Sequence, residues 1–167
     1  MTTALDGVID ATTIEPIGRR EAPGLAEEEY RRFVDGLAAL DESDWRKPTA
    51  CEGWNVRDLA GHVLGAMRAA ASVREQMSQQ REIAARVKAT GDNQVDVMTA
   101  VQVERTAELS NGEVVAEARS LVESAAKGRR RTPSALRRFV RFDVEMGSLS
   151  ETWTLGYLVD VVLTRDI

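Results

Sequence analysis

The stretch Pro48-Thr49-Ala50-Cys51-Glu52-Gly53-Trp54-Asn55-Val56-Arg57-Asp58-Leu59-Ala60-Gly61-His62-Val63-Leu64 decides how the chain is read. Its first half cannot be one continuous helix, because Pro48 lacks a backbone donor and Gly53 is a turn residue. Its second half opens one. Asn55 is a favourable N-cap, and Asp58 three residues later can reach back to it, a shortened capping box. Beyond the cap, Leu59, His62, Val63, Ala66, Ala70, Val73 and Met77 recur at helical spacing. That spacing predicts one inward stripe on a helix running to about Lys88. Thr90-Gly91-Asp92-Asn93 then breaks it. Trp45 and Trp54 on the preceding loop are predicted to fold back as plugs on the end of a bundle.

The same periodicity extends outward on both sides. Tyr30, Phe33, Val34, Leu37 and Leu40 form one face of a helix over 25–40, with Glu27, Glu28 and Glu29 in its first turn, where the helix dipole favours negative charge. A helix from Gln94 carries Val97, Val101 and Glu104 on its inner side, with Met98 and Arg105 beside them. Ser110-x-x-Glu113 is another capping signature, and Val114, Ala118, Leu121, Val122 and Ala125 continue helically to about Lys127. The segment Gly128 to Glu151 holds Pro133 and Gly147 and is read as a helical turn and a crossover. A last helix is expected from Thr152, with Leu155, Val159, Val162 and Asp166 on one face. No C-cap signal precedes Ile167, as though the sequence ended inside that helix. Four main helices with little strand signal predict an all-α class and an antiparallel four-helix bundle. The bundle is expected over 25–167, after an irregular arm over 1–24 with a short helical turn near Leu5–Ile9.

Composition bounds the chemistry. The 167 residues are 43% hydrophobic and 29% charged, which suits a single globular domain rather than a disordered chain. With one cysteine and one histidine, neither a disulfide framework nor a four-ligand zinc finger can form. No apolar run approaches the ~20 residues of a membrane span, and the first residues lack a basic signal-peptide start. The expected location is the cytoplasm. A net charge of -5 argues against general nucleic-acid binding.

Within these bounds a few residues can carry chemistry. His62 sits on the inward face of its helix and reads either as a core histidine or as a metal ligand. Asp166 lies on the apolar stripe of the last helix, where a carboxylate is costly unless paired or metal-bound. It reads as a helix-end residue, an ion-pair partner of an arginine, or a second ligand. Asp58 precedes His62 by one turn and is read as the cap. Cys51 reads as a nucleophile near a helix start or, more simply, as a small buried loop residue. Arg105 is an anion-binding candidate, with a salt bridge to Glu104 or Glu108 as the plainer role. The basic run Lys127 to Arg141 reads mainly as a solvated face.

The quoted stretch, with Leu40-Asp41-Glu42-Ser43-Asp44-Trp45 before it, resembles the N-terminal domain of mycothiol-dependent maleylpyruvate isomerases, within the DinB-like superfamily. Val95-Asp96 through Val101-Gln102-Val103-Glu104-Arg105 and Leu155 through Asp166 look like that family's third and fourth helices. The resemblance implies a DinB-like four-helix bundle with a divalent metal, zinc or nickel, at one end. It places the metal ligands at His62 and Asp166, and a third ligand, a histidine four residues after the acid, would fall beyond Ile167. It implies a low-molecular-weight thiol such as mycothiol as cofactor, activated by the metal as the nucleophile against a small electrophilic substrate. Arg105 is the residue expected to steer the anionic part of such a ligand. An isomerase or S-transferase activity follows from this reading. The alternative is a non-enzymatic bundle that binds a small ligand or a protein partner. Oligomeric state is open, a homodimer included.

Overall fold

The computed structural model describes residues 20–129, 131, 133–146 and 149–157. Helix α1 spans Ala22–Ala38, α2 Val56–Ala71, α3 Val73–Thr90, α4 Gln94–Glu104 and α5 Asn111–Arg129. A short helix α6, Ser134–Phe139, leads into strands β1, Arg141–Met146, and β2, Leu149–Thr154, and then into a last turn α7, Leu155–Tyr157. The described residues are therefore predominantly helical, as the all-α bundle reading expects.

Helix α1 starts earlier than predicted. Pro23 lies in its first turn, where a missing N–H costs nothing because that donor has no intrahelical partner anyway. Its predicted face is buried at Tyr30, Val34 and Leu37, with Phe33 and Leu40 packed at the edge. The main core joins this face to Val63, Leu64 and Met67 of α2 and to Val114, Ala118 and Val122 of α5, with Trp45 only 3% exposed beneath them. Arg68 fastens α2 to α5 by two parallel hydrogen bonds of 2.6 Å to Glu117. A smaller core, Ile83 against Val97 and Val101, joins α3 to α4.

Both predicted capping boxes are present. Asn55 accepts from the Asp58 amide at 3.0 Å, while Asp58 accepts from the Asn55 amide at 3.1 Å. Ser110 and Glu113 cap α5 in the same reciprocal way.

The expected single helix from 55 to 88 is instead two. Ser72 is extended (φ -131°, ψ 119°), and its hydroxyl accepts from the Glu75 amide. A second capping signature, Ser-x-x-Glu, thus restarts the helix in a new direction. The predicted stripe does not survive the break: Val73 and Met77 are 57% and 49% exposed. The inner side of α4 holds Val97 and Val101 as read, but not Glu104. Gln102 is buried, whereas Glu104 is exposed and pairs with Arg86.

The expected crossover before the last helix contains a β-hairpin, with Arg141 opposite Thr154 and Met146 opposite Leu149. Thr152 is strand, so the following helix begins at Leu155. The residues that alternate polar and apolar, Arg141-Phe-Asp-Val-Glu-Met146, and the Gly147-Ser148 pair after them are a hairpin signal. Val159, Val162 and Asp166 of the predicted last stripe lie outside the described residues, as does the turn near Leu5–Ile9.

Candidate functional site

The loop that leads to His62 is closed on itself. Thr49 N–H donates to Trp54 O at 2.9 Å, its hydroxyl donates to the same oxygen at 3.0 Å, and Val56 N–H donates to Lys47 O at 3.0 Å. Gly53 takes φ +80°, a left-handed value that disfavours any side chain. This geometry accounts for the threonine and the glycine of this short stretch. Its product is the placement of Trp54, whose ring meets the His62 imidazole edge-on, centroids 5.3 Å apart at 64°. The aromatic contact holds the imidazole in one attitude at the second turn of α2.

His62 forms part of the wall of a cleft of about 600 Å³. From α2 the cleft receives His62, Ala66 and Ala70; from α3, Val73, Gln76 and Gln79; from α4, Val95, Met98 and Gln102. Leu136 of α6 and Leu155 of α7 close one side, and Arg131 stands at the rim with a hydrogen bond of 2.8 Å to Ala71 O. The walls are more apolar than polar, with His62 and several glutamine amides set among aliphatic side chains, a make-up found in small-molecule sites. Beside the cleft α2 and α4 come close. There a Cβ on Gly65 would lie 2.6 Å from Gln102 Cβ, so only glycine permits the approach.

The other predicted site residues fall elsewhere. Arg105 points away from the cleft, into α3. Its guanidinium donates to Glu82 at 2.7 and 2.9 Å, to Glu75 at 2.7 Å and to Ser78 at 3.0 Å. The hydrogen bond from Arg105 holds the Glu82 carboxyl below its usual range. Burial pushes Glu75 up, but hydrogen bonds from Gln79 and Arg105 outweigh it and the net shift is downward. The partners of Arg105 are thus not the neighbours Glu104 and Glu108 but two carboxylates and a serine of the preceding helix. Asp166 lies outside the described residues. Cys51 is exposed rather than buried, because the closed loop turns it outward. Among the described residues no three His, Cys, Asp or Glu side chains gather into a metal-binding group. In the basic run, Lys127 pairs with Glu123, Arg137 is buried, and Arg138 lies over the Phe139 ring at 5.7 Å. Among the described residues no helix is long and apolar enough to cross a membrane.

Sequence reasoning passed over Gln79 and Gln102, although a signal for the second was present. Val95, Met98, Thr99 and Gln102 stand at i, i+3, i+4 and i+7, one helical face, and all four line the cleft.

The chain matches the family described as the mycothiol maleylpyruvate isomerase N-terminal domain over residues 26–163. No curated protein matches it. Among solved structures it is similar to a histidine-to-alanine mutant of the mycothiol-dependent maleylpyruvate isomerase, with a TM-score of 0.53 and 14% sequence identity. The likeness covers 92% of this chain and 58% of that one, so the present chain spans little more than half the length of the protein whose fold it shares.

Proposed function

Since the chain belongs to the mycothiol maleylpyruvate isomerase N-terminal domain family, we propose that it works as the bundle domain of a thiol-dependent enzyme of the isomerase or S-transferase type. Its cofactor would be a low-molecular-weight thiol such as mycothiol, and its substrate a small electrophile. The observation that carries this reading is His62 on the cleft wall, oriented by Trp54 at the end of the closed loop.

A neutral imidazole facing a cleft fits one position of a zinc or nickel site. The described residues supply that one donor and no gathered set, so the second ligand of the proposal, Asp166, is drawn from outside them. Such a cation would supply thiolate at neutral pH by lowering the pKa of a bound thiol. The remaining work falls to the chain itself. Trp54 restricts the imidazole, and the aliphatic wall at Ala66 and Ala70 would limit water around a thiol held in the cleft. Arg105, committed to Glu75 and Glu82, serves this reading by holding α3 against α4 rather than by touching the ligand. The proposal includes a cytoplasmic location, where the exposed Cys51 would stay reduced.

Elemental analysis of protein purified without added metal tests the proposal. Zinc or nickel is expected in the unaltered protein and is expected to fall in both His62→Ala and Asp166→Ala. Equal metal content in all three would refute it. A second reading, a ligand-binding bundle without catalysis, is favoured by the mainly aliphatic cleft. It predicts small-molecule binding that chelation leaves unchanged.

A further inference from the structure

Gln79 and Gln102 are two buried amides whose orientations fix one another. They are 2% and 5% exposed and stand on facing helices at the cleft. Gln79 Nε2 donates to Gly65 O and to Glu75 Oε1, both at 3.0 Å. A carbonyl can only accept, and the Glu75 carboxylate, itself bonded by Arg105, also only accepts. Both amide hydrogens of Gln79 are therefore assigned, and its Oε1 must face Gln102. There it accepts from Gln102 Nε2 at 3.3 Å. The second amide is fixed in turn. Gln102 Oε1 is buried, and among the described residues no donor reaches it. A buried acceptor without a donor is costly, and a group that supplies one recovers that cost.

We propose that Gln102 Oε1 is the recognition point for a neutral ligand group that donates a hydrogen bond, a hydroxyl or an amide N–H, carried next to an apolar body. The class follows from the surroundings. Ala66, Val73 and Met98 offer aliphatic surface to the body of the ligand. A carboxylate or a fully ionised phosphate has no donor to give to Oε1. A full positive charge would lose its hydration against those aliphatic walls, with Glu75 already neutralised by Arg105. The terminal torsion of a glutamine side chain is broad, and a turn that presents Oε1 to the lumen would give up the long bond to Gln79 in exchange for the ligand's donor. Any charged part of the ligand would then lie toward the rim, on the side of Arg131.

This inference rests on reading the cleft as the binding site, and not on the metal or the thiol. Its test therefore uses neither. Calorimetric titration of the whole chain with p-cresol and with p-xylene compares a hydroxyl with a methyl group of like size. The quantity read is the ratio of the two Kd values, xylene over cresol. Replacing Gln102→Met keeps the volume and removes both polar atoms, and it should lower that ratio by about tenfold. A change of less than about twofold, or failure of both probes to bind the unaltered chain at millimolar concentration, would overturn the proposal. Should the variant not fold, the side-chain amide resonances of Gln102 in the unaltered chain decide. They should move with p-cresol and stay with p-xylene, and equal response to both would overturn it. Metal content unaffected by His62→Ala would remove the thiol-enzyme reading and leave this result standing, so the two failures are distinguishable.

Discussion

Two glycine-to-alanine substitutions in this chain should change stability in opposite directions. Gly36 lies in α1, and a Cβ built on it meets nothing within 4 Å. Alanine there gains helix propensity without a clash, so Gly36→Ala should stabilise by about 0.5–1 kcal/mol. Gly65 lies in α2 and would gain the same propensity. Its Cβ, however, would lie 2.6 Å from Gln102 Cβ, 2.9 Å from Gln102 Cγ and 3.0 Å from Gln102 Cα. The last of these is backbone and cannot rotate away. Ordinary carbon contacts are ~3.5–4.0 Å, so α4 would have to retreat from α2 by somewhat under ~1 Å. Overpacking of that kind costs ~1–3 kcal/mol. Set against the propensity gain, Gly65→Ala should lose about 1–2 kcal/mol. For a chain of this size that is a fall in Tm of about 2–8 °C, against a rise for Gly36→Ala. Thermal and urea unfolding followed by circular dichroism reads both. A Gly65→Ala protein at least as stable as Gly36→Ala would refute the close approach of α2 and α4, and with it the shape of the cleft.

Three further outcomes are expected. Asn55→Ala removes one half of the α2 capping box and should cost about 1 kcal/mol in urea unfolding, with Asn55→Ser nearly neutral. Gly128→Ala should destabilise more than Gly65→Ala, since its Cβ would lie 1.7 Å from the carbonyl oxygen of Ala70. Arg105→Gln should lower Tm at neutral pH, and the gap to the unaltered chain should close below pH ~4. The sign follows from the downward shifts at Glu82 and Glu75. Carboxyls held low in the folded state stabilise it above their unfolded pKa, and lose that contribution as pH falls through the folded value. A gap that widened in acid would contradict the ion-pair account.

Much of the fold was legible because it is coded locally. The cap at Asn55 with Asp58 and the cap at Ser110 with Glu113 were readable as spacings, since each is made by residues three apart. The inward face of α1 was readable as a period. Where two codes overlapped, the louder one misled. Val73 and Met77 continue the apolar period of α2, so the stripe read through Ser72, although Ser72 and Glu75 spell a new helix start. The hairpin over 141–154 was present as alternation around Gly147-Ser148, masked by the helical stretches on either side.

The inward direction of His62 belonged to its own helix and could be read there, two turns after the cap. The phase of α4 was legible only in part. Val97 and Val101 read inward and are buried, while Val95 and Val103 on other sides of that helix left the places of Gln102 and Glu104 unmarked. Gln102 is inside and Glu104 outside because Gly65 of α2 admits one side of α4 and not the other. Local sequence determined the helices, their caps and the loop that aims Trp54 at His62, because backbone dihedrals and caps answer to neighbours a few residues away. Only the tertiary structure decided which polar atoms meet in the cleft. Gln79 and Gln102 are 23 residues apart, and whether such groups are buried together depends on how separate helices pack.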